Sequence, residues 1–248
     1  MKFFAAMLLT LFGCAVSAAD NTKRFYGYAY DLKTNQYLYT EVHAHQIENN
    51  KWLSGTMTYF APDGSKIGFK TMDFTADPYI PVYRLDLNYN GYAEGISAVG
   101  DEIKLFKQAS RDKPMETVSL GKQALMAGDS GFHSFITAHF DELMKGDSVS
   151  FKLIASGQLD AYKFRLRKIG ETTFEGKPAV NIIAEPNSLL RYLVDPLTIT
   201  YDPVTKKLLE YRGVSNIHDP ATGKAYIARV IYPTTKPADA PKTLPPLK

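Results

Sequence analysis

The sequence predicts a mainly β protein: a large curved antiparallel sheet, a half-barrel of about 11–13 strands, packed on one helix near residues 130–145. Three observations carry that expectation. Short alternating runs recur along the chain, with turn residues between them about every 8–12 positions, the spacing of an all-β sheet. Only one long stretch, Ser130 to Lys145, carries a helical hydrophobic period. Rings are plentiful, with 16 Tyr and 14 Phe against one Trp, a supply that suits broad sheet faces.

Taken in order, Phe25 to Asp31 alternates and ends in the turn Asp31-Leu32-Lys33-Thr34-Asn35. Tyr37 to Ile47 and Trp52 to Phe60 follow, separated by Glu48-Asn49-Asn50-Lys51. Ala61-Pro62-Asp63-Gly64-Ser65 has proline and Asp-Gly where a turn wants them. Lys66 to Phe74 and Val82 to Asn88 flank the break at Asp77-Pro78, and Asn90-Gly91 is a hairpin signal leading into Tyr92 to Ala98. Glu102 to Lys107 completes a meander of about seven strands. Residues 109–129 are polar and lack a period. Beyond the helix come Ser148 to Ala155, Ala161 to Ile169 and Lys177 to Ala184, then a helical turn at Asn187 to Val194 stopped by Pro196. Leu197 to Tyr201, Leu208 to Ser215 and Ala225 to Tyr232 are the last strands.

In the helix, Phe132, Phe135, Ile136, Phe140, Leu143 and Met144 recur at spacings of three and four and gather on one face. Asp129 or Ser130 is placed to cap its first amides, and Lys145 with Gly146 to end it. A sheet of about a dozen strands cannot stay flat. The economical arrangement sets the helix's apolar stripe on the concave face of a curved sheet.

The N-terminus reads as an export signal. Lys2 precedes an apolar run from Phe3 to Gly13 broken only by Thr10, and Val16-Ser17-Ala18-Ala19 offers small residues for cleavage. The expected organisation is a signal peptide over 1–19, one domain over 20–232 and a Pro/Lys-rich flexible tail over 233–248, in the periplasm. The sole cysteine, Cys14, lies in Leu11-Phe12-Gly13-Cys14, which resembles a lipobox, so an outer-membrane lipoprotein is the alternative. No other apolar run reaches the ~18 residues that cross a bilayer, so no transmembrane segment is expected in the mature chain. Losing Lys2 takes the net charge from +3 to +2, and no Lys/Arg cluster tracks phosphates, which argues against nucleic acid.

The order meander, helix, meander resembles the periplasmic lipoprotein-carrier and lipoprotein-receptor (LolA/LolB-like) fold. Local stretches resemble secreted bacterial proteins of unknown function: Tyr37-Leu38-Tyr39-Thr40-Glu41-Val42-His43, Gly91-Tyr92-Ala93-Glu94-Gly95 and Tyr211-Arg212-Gly213-Val214-Ser215-Asn216-Ile217. The resemblance implies a half-barrel enclosing an apolar cavity for acyl chains. It fixes no catalytic residue.

Among polar residues, Glu41, His43 and His45 share one strand face with Tyr39. A His-x-His pair with a carboxylate can supply three ligands to zinc or copper. The plainer reading is a solvent-facing polar edge opposite Leu38, Thr40, Val42 and Ala44. Lys163, Arg165 and Arg167 alternate with Tyr162, Phe164 and Leu166, either as the wet face of a strand or as a basic strip for head groups. There is no Gly-x-Ser-x-Gly elbow and no His-Glu-x-x-His pattern. The functional expectation is a binding or carrier protein, without cofactor, for a hydrophobic small molecule, lipid or acylated protein. Its groove would be lined by Phe132, Phe135, Ile136 and Phe140. The alternatives are a hydrolase, metal-dependent or carboxylate-based, using Glu41, His43 and His45 with zinc as the metal, and an envelope interaction protein with no cavity.

Overall fold

The computed structural model describes residues 21–49, 51–187, 196–244 and 246–247. The export segment with Cys14, and the helical turn expected at Asn187 to Val194 apart from Asn187, lie outside them. The described residues form fifteen strands in one mixed, open sheet and two short helices beside it. Nine strands precede the helices: β1 (Thr22–Asp31), β2 (Tyr37–Glu48), β3 (Lys51–Phe60), β4 (Lys66–Asp73), β5 (Val82–Leu87), β6 (Ala93–Val99), β7 (Glu102–Gln108), β8 (Met115–Gly121) and β9 (Met126–Gly128). After α1 (Gly131–Ala138) and α2 (Phe140–Met144) come β10 (Ser148–Ala155), β11 (Asp160–Phe174), β12 (Lys177–Pro186), β13 (Leu197–Tyr201), β14 (Leu208–His218) and β15 (Ala225–Ile231).

The spatial order is β8-β7-β6-β5-β4-β3-β2-β1-β15-β14-β13-β12-β11-β10-β9. Apart from β8–β9, which do not pair, and β9–β10, chain neighbours pair antiparallel. β1 joins the two meanders by pairing with β15, and the only parallel ladder among the described residues is β9 on β10. The strand total exceeds the expected 11–13 because β8 and β9 fall in the polar stretch 109–129, which has no strand period. Both faces of β8 are exposed, so its side chains carry no alternation, and β9 is only three residues long. Neither leaves a period-two trace in the sequence.

The expected single helix is interrupted at His139, whose backbone leaves helical geometry (φ −98°, ψ 11°). Just before it, the Thr137 hydroxyl donates to the Ser134 carbonyl, a back-bond that bends helices. The start also departs from expectation, because the Ser130 side chain caps nothing. Asp129, in the left-handed region at φ 46°, instead accepts the Ser130 amide and hydroxyl at 2.7 and 2.8 Å through Oδ1. Gly131 lies so close to Tyr79 that an added Cβ would sit 2.2 Å from its carbonyl oxygen, which fixes α1 against the chain ahead of β5.

Two cores form on the inner face. Leu85, Ile96, Ile103 and Leu105 belong to the first, over the N-terminal meander. Phe135, Ile136, Phe140 and Leu143 of the helices pack with Val149, Phe151, Leu166 and Ile182 in the second. The chain after β15, expected to be a flexible tail, lies along the outer face of β1. Ala240 is buried with Tyr28 and Tyr30, and the Tyr30 hydroxyl donates to Asp239 at 2.9 Å. The outward tyrosines of β1 need that cover, since β1 sits in the middle of the sheet. No helix among the described residues is long and apolar enough to cross a membrane.

Candidate functional site

Between the two cores the sheet and α1 leave a cavity of about 1130 Å³. Its wall takes Tyr39, Met57 and Tyr59 from one core and Phe132, Ile136 and Tyr201 from the other. The space opens to solvent, and its lining runs out to the exposed Lys23, Lys207, Lys236 and Leu247.

Glu41, His43 and His45 face this cavity rather than solvent, and all three are buried. Cross-strand register explains the inversion. His43 stands opposite Phe25 on β1 and Met57 on β3, and Glu41 stands opposite Tyr59, so apolar neighbours carry this face inward. Glycines make room for the polar groups. Gly27 is opposite Glu41, and a Cβ there would lie 2.6 Å from Glu41 Oε2. Gly55 is opposite His45, and a Cβ there would lie 2.5 Å from its Nδ1.

The three side chains form a file. His43 Nε2 lies 2.9 Å from Glu41 Oε2, and His43 Nδ1 lies 3.1 Å from His45 Nε2. With Glu41 as acceptor at one end, the network assigns the protons. His43 Nε2–H donates to Glu41, and His45 Nε2–H donates to His43 Nδ1. His45 Nδ1 is left buried and without a partner against Gly55. Burial, and next the neighbouring His43, pull the His45 pKa down to about 3. The rings are held by aromatic neighbours: Phe25 stacks on His43 at 4.3 Å, and Trp52 packs tilted against His45 at 4.2 Å. Trp52 also approaches His133, whose Nδ1 meets the Tyr201 hydroxyl at 3.0 Å and whose pKa burial lowers to about 4. Three ligands to one zinc must converge on a point. Here the donors are bonded to one another in sequence, and among the described residues no group of three or more His, Cys, Asp or Glu is placed to hold a metal ion.

A second buried network, which the sequence reading missed, crosses the cavity wall. Lys70 Nζ donates to Asp129 Oδ2 at 2.7 Å, with both side chains almost fully buried. Asn216 links Asp129 (3.2 Å) to Glu94 (2.7 Å), and the Tyr92 and Tyr83 hydroxyls donate to Glu94 at 2.6 and 3.3 Å. Burial pushes the Glu94 carboxyl up, and the nearby Asp129 adds to the rise. A signal for these residues did exist. Lys70 alternates with buried Gly68 and Met72, and Glu94 with buried Ile96, so each charge sits in the apolar phase of its strand.

The four apolar candidates divide. Phe132 and Ile136 line the cavity. Phe135 and Phe140 do not: Phe135 packs on Phe151 and Tyr79, and Phe140 on Tyr201, inside the second core. The basic strip on β11 is neutralised in part by β12. Arg165 and Arg167 donate to Glu185 at 2.6 and 2.9 Å, and these bonds, Arg167 first, hold its pKa down at about 2.

The tyrosines around Glu41 complete the site. Tyr232 donates its hydroxyl to Glu41 Oε2 at 3.1 Å. Tyr39, Tyr59, Tyr211 and Tyr232 line the same cavity. All four have raised phenol pKa values, first through burial and second through the charge of Glu41. No protein family, curated protein or solved structure matches this chain.

Proposed function

We propose that the protein is an exported binding or carrier protein that holds a hydrophobic ligand, a lipid or the acyl chain of a modified protein, between its curved sheet and α1. The observation that carries this reading is the cavity of about 1130 Å³. Ligand pockets typically enclose about 300–1,000 Å³ behind a mostly apolar lining with a few placed polar groups. This space lies just above that range, and its wall combines rings and aliphatic chains with two ordered polar networks. An envelope interaction protein with a filled core would have no use for such a space. A zinc hydrolase built on Glu41, His43 and His45 would need imidazole nitrogens open to the metal, whereas both nitrogens of His43 are bonded and the free one of His45 faces Gly55. Delivery to the periplasm through the N-terminal signal belongs to the same proposal.

Native mass spectrometry of the protein purified from its own envelope tests it. The expected result is a discrete adduct of lipid mass, lost when the complex is activated in the gas phase. Bare protein, together with no binding of dodecyl-chain probes in solution, would overturn the carrier reading.

A further inference from the structure

The cavity wall holds more buried acid than buried base. Glu41, Glu94 and Asp129 line it with Lys70, and that ammonium is bonded to Asp129. Two of the three carboxyl groups are filled by the protein. Asp129 accepts Lys70, Asn216 and Ser130 on its two oxygens, and Glu94 accepts Tyr83 and Asn216 on Oε1 and Tyr92 on Oε2.

Glu41 is different. Both of its donors, His43 and Tyr232, are bonded to Oε2, and Oε1 accepts no hydrogen bond from the described residues. Yet the residue is only 6% exposed and lines the cavity. Unlike His45 Nδ1, Oε1 is not sealed off from the open space, so it stands as a free acceptor within reach of a ligand. The rings of Tyr39, Tyr59, Tyr211 and Tyr232 stand around it, and aromatic walls attract cations. The neighbouring histidines donate toward Glu41 through fixed protons, so none offers Oε1 a hydrogen.

We infer that Glu41 Oε1 receives a primary ammonium carried on an apolar body, so that the ligand is a cationic or zwitterionic amphiphile with its N–H donors on Glu41 and its chain along Phe132 and Ile136. This rests on the carrier reading and names the head group the cavity selects. The ammonium supplies the donor that Oε1 lacks, and its charge offsets the interior excess of carboxylate. An anionic head is the competing occupant, because Lys23, Arg24, Lys206, Lys207 and Lys236 also line the cavity.

The test uses four probes on the full chain at pH 7: dodecylamine, 1-dodecanol, dodecanoate, and lysophosphatidylethanolamine as the lipid source of the same ammonium. Trp52, the only tryptophan, lies in the cavity wall and reports binding through its fluorescence. Dodecylamine is expected to bind at least about ten-fold more tightly than dodecanol or dodecanoate, the size of one charge-assisted hydrogen bond. Glu41→Gln is expected to remove that preference, so that dodecylamine and dodecanol bind alike, and an unchanged far-UV circular dichroism spectrum shows that the variant folds. Dodecanoate binding as tightly as dodecylamine to the wild type would overturn the inference and leave the carrier reading standing; no binding by any probe would overturn both. Lysophosphatidylethanolamine binding above dodecylamine assigns the ammonium to a lipid head group, and the reverse order assigns it to a free amine, either of which supports the site.

Discussion

Gly55→Ala should destabilise this protein chiefly through His45. An added Cβ would sit 2.5 Å from His45 Nδ1, 3.1 Å from Cε1 and 3.2 Å from the Ala44 carbonyl oxygen. Comfortable contact needs roughly 3.5 Å, so the imidazole would have to withdraw by about 1 Å. It has no room to do so. Trp52 packs 4.2 Å away, and the bond to His43 at 3.1 Å ties the other ring nitrogen. Overpacking of this kind costs about 1–3 kcal/mol, and loss of the bond to His43 adds about 0.5–1.5 kcal/mol. The expected penalty is about 1.5–4.5 kcal/mol, read in urea unfolding, or a melting temperature lower by roughly 3–18 °C for a chain of this size. The same substitution in a His45→Ala background meets only the Ala44 carbonyl oxygen at 3.2 Å, which a shift of a few tenths of an ångström relieves. There it should be neutral or slightly stabilising, because alanine reduces the freedom of the unfolded chain by about 0.4–1 kcal/mol relative to glycine. A double-mutant cycle measures the difference. An equal loss in both backgrounds, or none in the wild type, would refute the inward placement of His45 on which the site is built.

The pH dependence of His45 follows from its burial. Its folded pKa of about 3 lies below the model-peptide value near 6.5, so the unfolded chain binds the extra proton, and stability is lost as pH falls below about 6.5. Between pH 6.5 and pH 5 the advantage of wild type over His45→Gln should shrink by about 1.5 kcal/mol in urea titrations. A constant gap would count against a neutral buried ring. Lys70→Met leaves the Asp129 carboxylate buried without its cation and should cost about 3–5 kcal/mol, whereas Lys70→Met with Asp129→Asn should recover much of that in thermal melts. Phe135→Ala should cost about 3–5 kcal/mol without altering ligand capacity, because Phe135 is fully buried in the second core away from the cavity. Phe132→Ala opens the cavity wall and should shift probe affinity instead, as Trp52 titration would report.

Much of the architecture was legible because sheets and helices write their periods into the chain. Asn90-Gly91 and Pro62-Asp63-Gly64 placed hairpin turns where the strands pair antiparallel. The stripe of Phe132, Phe135, Ile136 and Phe140 located the helical segment. The sequence reading failed at β8, where both faces are wet, and at His139, where a local back-bond rather than a breaker residue ends α1.

Alternation by itself determined that Glu41, His43 and His45 share one face of a strand. Only the tertiary structure decided which face was inside. That choice depends on partners far along the chain: Phe25 and Met57 beside His43, Gly27 and Gly55 yielding space, and Tyr232 arriving from beyond β15 to bond Glu41. Lys70, Asp129, Glu94 and Asn216 come from four separate segments and meet only because the sheet curls. A strand's period is local, whereas register and curvature are set by contacts between distant segments. The sheet's class therefore followed from the sequence, and the polar interior of its cavity followed from the fold.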